Sequence, residues 1–322
     1  MAKNIGVIGA GAMGTAISQS IADNADNLFL YARNKSICDE INEKHCNSQY
    51  YPNILLKENI AAVNDLNDLK SAEIIFLCIP SSTVRDVTNQ LKDIICDDCI
   101  LVTTAKGLEK DTNMRMTEII EEVIERPAVA LSGPNIASEM VKNLTTATTI
   151  ACRDEDYLKS VKESMESEFF KVNANTDVIG TEYCGIVKNV LAISQGICEG
   201  LDINYNARFA LFTKAFSETK DIIEKLGGKR DTVDDYCGFG DIVTASTLSV
   251  SRNHTLGVLY GQSIVVDEKS SGILFEGRNT ATILKNICEE LEINSLTVDF
   301  VYEVIVEKNN PRLAFRKYWE GL

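Results

Sequence analysis

Histidine is nearly absent: His45 and His254 are the only two in 322 residues. That leaves little for a histidine-based relay, so any proton transfer should fall to other side chains. Long apolar runs are missing as well, and none approaches the ~20 residues that a membrane-spanning helix needs. No charged leader with an apolar plug precedes the strand-like run at Asn4, so no signal peptide is expected. Basic excess is lacking, with a formal net charge of −15. This argues against nucleic acid or anionic membrane as general partners, and an anionic substrate would need a locally basic pocket. The ten cysteines lack the spacing of a metal site. Cys96 and Cys99 form the only close pair, two aspartates lie between them, and no second pair follows. Cys78, Cys152 and Cys184 lie in apolar runs and read as small core residues. A reduced, cytoplasmic compartment is therefore expected. There are no repeats, low-complexity segments or long linkers, and the length leaves room for two domains.

What is present begins at once. Asn4 to Gly9 reads as a short buried strand, followed by Gly9-Ala10-Gly11-Ala12-Met13-Gly14 and a helix-compatible run to about Ile21. In a strand–turn–helix context, Gly9 permits the tight turn, Gly11 admits a pyrophosphate to the backbone, and Gly14 packs helix on strand. The helix start, with Ala12 and Met13, would offer N–H groups to phosphates. The same string with no ligand would be only a tight turn. Asn27 to Tyr31 is the second strand. Where an NAD-selective site carries an acid, the chain reads Ala32-Arg33-Asn34-Lys35. Two cations there suit a 2′-phosphate, though a solvated loop would look alike.

Further strand-like runs at Ile60–Val63, Glu73–Ile79, Cys99–Thr104, Ala128–Leu131, Thr146–Cys152 and Phe169–Val172 are separated by helix-compatible segments. Such alternation predicts an α/β fold with a doubly wound, Rossmann-like parallel sheet, and ligands at the carboxyl ends of its strands. Pro80-Ser81-Ser82 and Ala105-Lys106-Gly107 lie at that edge, where Lys106 would point into the crevice or stand as an ordinary surface lysine. Ser132-Gly133-Pro134-Asn135-Ile136-Ala137 leads into a helical pattern and suggests an anion site at its start.

From Tyr183 the pattern becomes all-helical, so residues 1–181 and 182–322 are expected as two domains. Glu182 to Ile193 reads as a helix that is apolar nearly all round. Lys188 sits inside it, next to Asn189, with Cys184, Gly185, Leu191 and Ala192 as its helical neighbours. A buried lysine is disfavoured in its charged form and suits proton transfer near neutral pH; alternatively it snorkels to the surface. Gly200 to Arg208 breaks this helix, Phe209 to Leu226 forms another, and Tyr236-Cys237-Gly238-Phe239-Gly240-Asp241 reads as a tight turn ending in a carboxylate. Ser251-Arg252-Asn253-His254 follows. Arg252 could clamp a phosphate bidentately or form a plain surface ion pair.

Taken together, the motifs resemble the NAD(P)-dependent sn-glycerol-3-phosphate dehydrogenases along nearly the whole chain. The resemblance is carried by Gly9–Gly14, Ile79-Pro80-Ser81, Ala105-Lys106-Gly107-Leu108, Leu131 to Ala137, Glu182 to Asn189, Glu199-Gly200-Leu201, Asn206-Ala207-Arg208, Gly238 to Asp241, Ser251-Arg252-Asn253 and Phe275-Glu276-Gly277. It implies reduction of dihydroxyacetone phosphate to sn-glycerol 3-phosphate by NAD(P)H, supplying glycerol phosphate for phospholipid synthesis, in a cytoplasmic homodimer. By the same resemblance Lys188 transfers the proton, with Lys106 and Asp241 in its pocket. Gly133, Asn135, Asn189, Ser251, Arg252 and Asn253 would line the substrate site. Arg33, Lys106, Ala137, Arg252 and Glu276 would join the glycine motif at the cofactor, and no metal is implied. Arg33 and Lys35 lean the cofactor toward NADPH or dual use. Some positions depart from the pattern: Ala245 where Thr is usual, Lys214 where Arg is common, and a Glu276-Gly277-Arg278-Asn279 segment one residue short. They bear on substrate affinity. A beta-hydroxyacid or ketopantoate-type reductase would also carry a lysine and asparagine on a buried helix, but would not need the Arg252 clamp. A non-catalytic nicotinamide sensor would need neither lysine.

Overall fold

The computed structural model describes residues 3–248, 251–265 and 276–322. The chain divides into two compact units: residues 1–109 with 114–178, and residues 110–113 with 179–322.

The first unit is built on eight strands: β1 (Asn4–Ile8), β2 (Asn27–Tyr31), β3 (Ile60–Val63), β4 (Ile74–Leu77), β5 (Ile100–Thr103), β6 (Val129–Ser132), β7 (Thr146–Ala151) and β8 (Phe170–Asn175). They form one sheet in the order β3-β2-β1-β4-β5-β6-β7-β8. All pairs are parallel except β6 with β7, which run antiparallel. The strand order reverses between β1 and β4, the switch point at which doubly wound sheets bind ligands. Strands such as β4, β5 and β6 are buried at every position, as expected for short apolar runs covered on both faces. Side chains alternate between two cores: Ile74 and Phe76 enter one, while Ile75 and Leu77 enter the other. The first core takes Ala16 and Ile17 from α1 (Ala12–Ile21) and Cys38 and Ile41 from α2 (Lys35–Lys44). The second takes Val84 and Leu91 from α3 (Val84–Leu91) and Ile119 and Ile120 from α4 (Met116–Ile124). One connection departs from the expected alternation. Between β3 and β4 there is only a 3-10 turn, Leu66–Leu69; the return from the β3 edge to β4 passes over β2 and β1, three strand spacings or roughly 14–15 Å, a distance the intervening loop covers without a full helix.

Two helices complete this unit. α5 (Ala137–Met140) is a single turn after β6, and α6 (Glu155–Met165) joins β7 to β8, its start capped by the Asp154 carboxylate. The helical start expected at Gly133-Pro134 is therefore displaced to Ala137. One turn aligns few peptide dipoles, so the helix start there carries little macrodipole.

The second unit is helical: α7 (Val178–Gly200), α8 (Tyr205–Lys225), α9 (Asp241–Thr247), α10 (Arg252–Gly261), α11 (Glu276–Glu290), α12 (Leu296–Ile305) and α13 (Pro311–Glu320). The boundary between units falls inside the first turn of α7, three residues before the position expected from composition. α8 begins four residues ahead of Phe209 because Asn204 caps it, its side chain accepting from the Ala207 N–H. The expected tight turn at 236–241 is a π-helical turn, Tyr236–Gly240, running directly into α9. A Cβ at Gly238 would overlap the Val233 carbonyl, so glycine is required for the close approach. Glu218, buried on α8, accepts from the Ser295 hydroxyl at 2.9 Å and from the Leu296 and Thr297 N–H groups at 3.2 and 3.1 Å. A carboxylate thereby caps the N-terminus of α12, where negative charge is favoured.

Candidate active site

The glycine loop of the first unit sits at the carboxyl end of β1. Gly9 has φ +108°, and a Cβ there would stand 3.1 Å from the Cys78 carbonyl carbon; one at Gly14 would overlap the Gly9 oxygen. Gly11 differs, because a Cβ there meets nothing nearer than the Tyr50 hydroxyl at 4.0 Å. The open space lies at the N-cap of α1, where N–H groups have no intrahelical partner. That is the cradle a dinucleotide pyrophosphate fits. The loop is braced from outside: Asn47 Nδ2 donates to the Ala10 carbonyl at 3.0 Å, and the Tyr51 hydroxyl to the Ala12 carbonyl at 2.9 Å. Nothing in the local sequence around Asn47 or Tyr51 signals this, since the partners are 37 and 39 residues away.

Arg33 and Lys35 are exposed past the end of β2. Asn34 caps α2 there, its side chain accepting from the Ser36 N–H. Lys106 follows β5 and is half-buried; its ammonium donates to the Gly133 carbonyl at 3.1 Å. The loop that carries it is pinned on both sides. Arg85 grips Glu109 with two hydrogen bonds of 2.7 and 2.9 Å and reaches Glu122 at 3.0 Å. A Cβ on Gly107 would stand 2.8 Å from the Ser81 hydroxyl. Asn135 turns inward: its amide donates to the Ala147 carbonyl at 3.1 Å, and its oxygen accepts from the Thr148 hydroxyl at 2.9 Å. Those bonds tie the end of β6 to β7 and thereby support Gly133. Ala137 is partly exposed at the start of α5.

In the second unit, every residue from Thr181 to Cys198 is buried except Lys188, whose side chain is 15% exposed. Its ammonium donates to Asp241 Oδ1 at 2.5 Å, and the Asp241 side chain is 4% exposed. The apolar surroundings expected from the helix are thus broken by the Asp241 carboxylate, which the π-turn delivers. Burial penalises both charges, and their mutual attraction offsets much of that cost. Next to Lys188, the Asn189 oxygen accepts from the Asn253 amide at 2.9 Å. Ser251 caps α10, accepting from the His254 N–H, and Arg252 is exposed at the first position of that helix. His254 is buried with its Nε2 3.5 Å from Glu199, and burial holds its pKa below the ordinary value. Lys214 lies on α8 at 3.7 Å from Glu218 and is half-exposed, while Ala245 is buried one turn along α9 from Asp241. Phe275 lies outside the described residues, and only the backbone of Glu276, at the start of α11, is described. Gly277 packs against Asn253: a Cβ there would stand 2.5 Å from the Asn253 oxygen.

The structure therefore joins Lys188 to Asp241 and Asn189 to Asn253 in one unit, and Lys106 to Gly133 in the other. It adds Asn47, Tyr51, Arg85 and Glu109 as supports that sequence reasoning missed. The ten cysteines are free thiols, and seven are buried. Among the described residues no helix is long and apolar enough to cross a membrane.

Comparison with known proteins bears on this arrangement. A family profile for the NAD-dependent glycerol-3-phosphate dehydrogenase N-terminus matches residues 4–158, and one for the C-terminus matches residues 177–316. A glycerol-3-phosphate dehydrogenase [NAD(P)+] from Clostridium botulinum is 33% identical over 98% of this chain and 96% of its own. The crystal structure of glycerol-3-phosphate dehydrogenase from Coxiella burnetii superposes with a TM-score of 0.90 at 30% identity, covering 99% of each chain. A ketopantoate reductase from Ralstonia eutropha reaches a TM-score of 0.62 at 12% identity, over 98% of this chain and 99% of that one, a likeness of fold alone. The chain belongs to the NAD-dependent glycerol-3-phosphate dehydrogenases.

Proposed function

We propose that the chain interconverts dihydroxyacetone phosphate and sn-glycerol 3-phosphate with NAD(P)H, the residues up to 181 binding the dinucleotide and residues 182–322 holding the substrate and moving the proton. One observation carries the reading. Lys188 is the only opening in an otherwise buried helical face, it is paired with Asp241, and its neighbour Asn189 is bonded to Asn253, beside Arg252. Proton donor and phosphate clamp are thus linked through adjacent residues.

The glycine loop, with Ala12, Met13, Arg33, Lys106, Ala137, Arg252 and Glu276, would hold the cofactor, which when bound supplies a hydride. As the carbonyl carbon is reduced, its oxygen needs a proton, and the Lys188 ammonium donates it; in the reverse direction the neutral amine accepts it. Asp241 holds the ammonium in place before transfer. Lys106 and Asn189 polarise the carbonyl oxygen as negative charge develops on it. Gly133 and Asn135 act by fixing Lys106. Ser251 caps the helix that presents Arg252 and Asn253 to the phosphate, whose charge Arg252 matches with a planar fork of donors. A carboxylate substrate without phosphate would leave that clamp idle, and a sensor would need no Lys188–Asp241 pair. The free thiols favour a reducing compartment such as the cytoplasm, and the family resemblance favours a homodimer.

The test is whether purified protein oxidises NADPH or NADH when dihydroxyacetone phosphate is added and not when unphosphorylated dihydroxyacetone is added. Equal rates with both ketones would reject the phosphate reading. Cofactor choice follows from Arg33. The parent is expected to use NADPH at least as well as NADH, and Arg33→Ala to lower efficiency with NADPH more than with NADH. A strong NADH preference unchanged by Arg33→Ala would show that the loop does not read the 2′-phosphate.

A further inference from the structure

We propose that four glycines interlock α7 with α10 and act as the positioning device that sets the distance between the proton-donating lysine and the phosphate clamp, an inference that rests on the function read above. Gly196 and Gly200 lie one turn apart on α7, and Gly257 and Gly261 lie one turn apart on α10. Each faces the backbone of the other helix. A Cβ on Gly196 would overlap the His254 carbonyl oxygen, and one on Gly200 the Val258 oxygen; one on Gly257 would overlap the Ile193 oxygen, and one on Gly261 the Ile197 oxygen. The same atoms on Gly196 and Gly257 would stand 3.0 and 2.9 Å from the Cα of the opposite glycine. No side chain separates the helices here, so their spacing is set by main chain against main chain, the closest approach that small residues allow.

The consequence is registration of the site. Lys188 and Asn189 lie two turns before Gly196 on α7. Arg252 and Asn253 lie about one turn before Gly257 on α10. The 2.9 Å hydrogen bond from Asn253 to Asn189 closes the span between them, and Gly277 seals it by packing on both Asn253 and Ile193. A side chain at the crossing would push α10 outward, carrying Arg252 and Asn253 with it. The ion pair of Lys188 with Asp241 joins α7 to α9 and uses no atom of α10, so a displacement of α10 bears first on Arg252 and Asn253. The interlock therefore governs where the phosphate is held relative to the proton donor, not whether a proton donor exists.

Steady-state kinetics of full-length Gly257→Ala and Gly261→Ala, with dihydroxyacetone phosphate and with dihydroxyacetone, test this. In Gly257→Ala, KM for the phosphorylated ketone should rise about tenfold or more. Turnover at saturation should hold within a few-fold, and the poor efficiency with the unphosphorylated ketone should be unchanged, so the preference for phosphate shrinks. Gly261→Ala, farther from the clamp, should show the same split more weakly. A merely structural crossing would lower the melting temperature of both and leave the KM ratio at the parental value; that result in a folded variant overturns the proposal. Should Gly257→Ala fail to fold, Gly261→Ala decides on the same terms, since its overlap is the mildest of the four. A parent enzyme without preference for the phosphorylated ketone would instead refute the assignment of Arg252 and Asn253 themselves.

Discussion

Glycine does different work in the two units. In the sheet unit, Gly9 and Gly14 press against protein, but Gly11 between them faces open space, and the missing side chain leaves room for a ligand. In the helical unit, Gly196, Gly200, Gly257 and Gly261 all face another backbone, and the missing side chains bring two helices together. The candidate site residues follow suit. Lys106 and Arg33 stand on loops past strand ends, held by supports such as Arg85–Glu109 and Asn34. Lys188, Asn189, Arg252 and Asn253 stand on long helices, held by the contact of one helix with the next. A loop site can be altered locally, whereas a helix site transmits a displacement to everything farther along the helix.

The sharpest way to separate chemistry from scaffold in the helical unit is Lys188→Ala. The variant should fold, because the lysine lies at the one opening in a buried face, although the buried Asp241 loses its ammonium partner and stability falls. Turnover at saturating substrate should fall by about 10²- to 10⁴-fold, the usual contribution of a general acid. Near-parental turnover would make the lysine a structural element and undo the comparison at its centre.

The two roles of glycine can be set against each other inside one motif. Gly14→Ala should cost about 1–3 kcal/mol of stability, an overpacking effect, because the new Cβ meets the Gly9 carbonyl. Gly11→Ala should leave the melting temperature within a degree or two of the parent. Its backbone, at φ −82° and ψ −170°, suits any residue, yet its methyl would occupy the cradle and raise KM for the cofactor severalfold. If both variants lose stability alike, Gly11 serves packing and the contrast fails.

The sheet was legible because its strands are short, fully apolar runs separated by turns and helices, a pattern that dictates burial on both faces. Lys188 was legible for a related reason: one cation interrupts a long apolar helix. Helix starts were less so. Asn204 signals a cap but lies in a stretch that Gly200 had already marked as a break. The helix expected after Gly133 is cut to a single turn because α5 ends at Met140 and β7 begins only six residues later, at Thr146. The supports were illegible in principle. Asn47 reaching Ala10, Arg85 reaching Glu109 and Glu218 reaching Ser295 join residues far apart in the chain, and each partner alone reads as a surface polar group. The glycine interlock lay between these extremes. Both pairs show a four-residue spacing, but one helix's glycines mean little until its partner is known.

The smallest expected effect concerns the edge of that interlock. His254 lies on α10 in the turn that contacts Gly196, and its ring is buried with Nε2 3.5 Å from Glu199, whose carboxylate also accepts from Arg208 at 3.0 Å. Burial disfavours the imidazolium, and Arg208 adds to that; Glu199 opposes them, and the net direction is a lowered pKa. The unfolded chain takes up this proton near pH 6.5, whereas the folded chain takes it up only at lower pH. Between those two points the unfolded state binds more protons, so stability rises with pH across the window. The contribution is full above about pH 6.5 and is lost as the pH falls through the folded-state value. Denaturant melts of the parent and His254→Gln at pH 7.5, 6.5 and 5.5 should therefore diverge in slope, the parent losing more stability toward acid even if the variant starts lower. Carboxylates away from the ring titrate alike in both proteins and cancel from the difference, leaving His254 with its neighbour Glu199. Parallel slopes would mean that Glu199 fully compensates the burial of the ring, and that the helix crossing carries no acid-sensitive group.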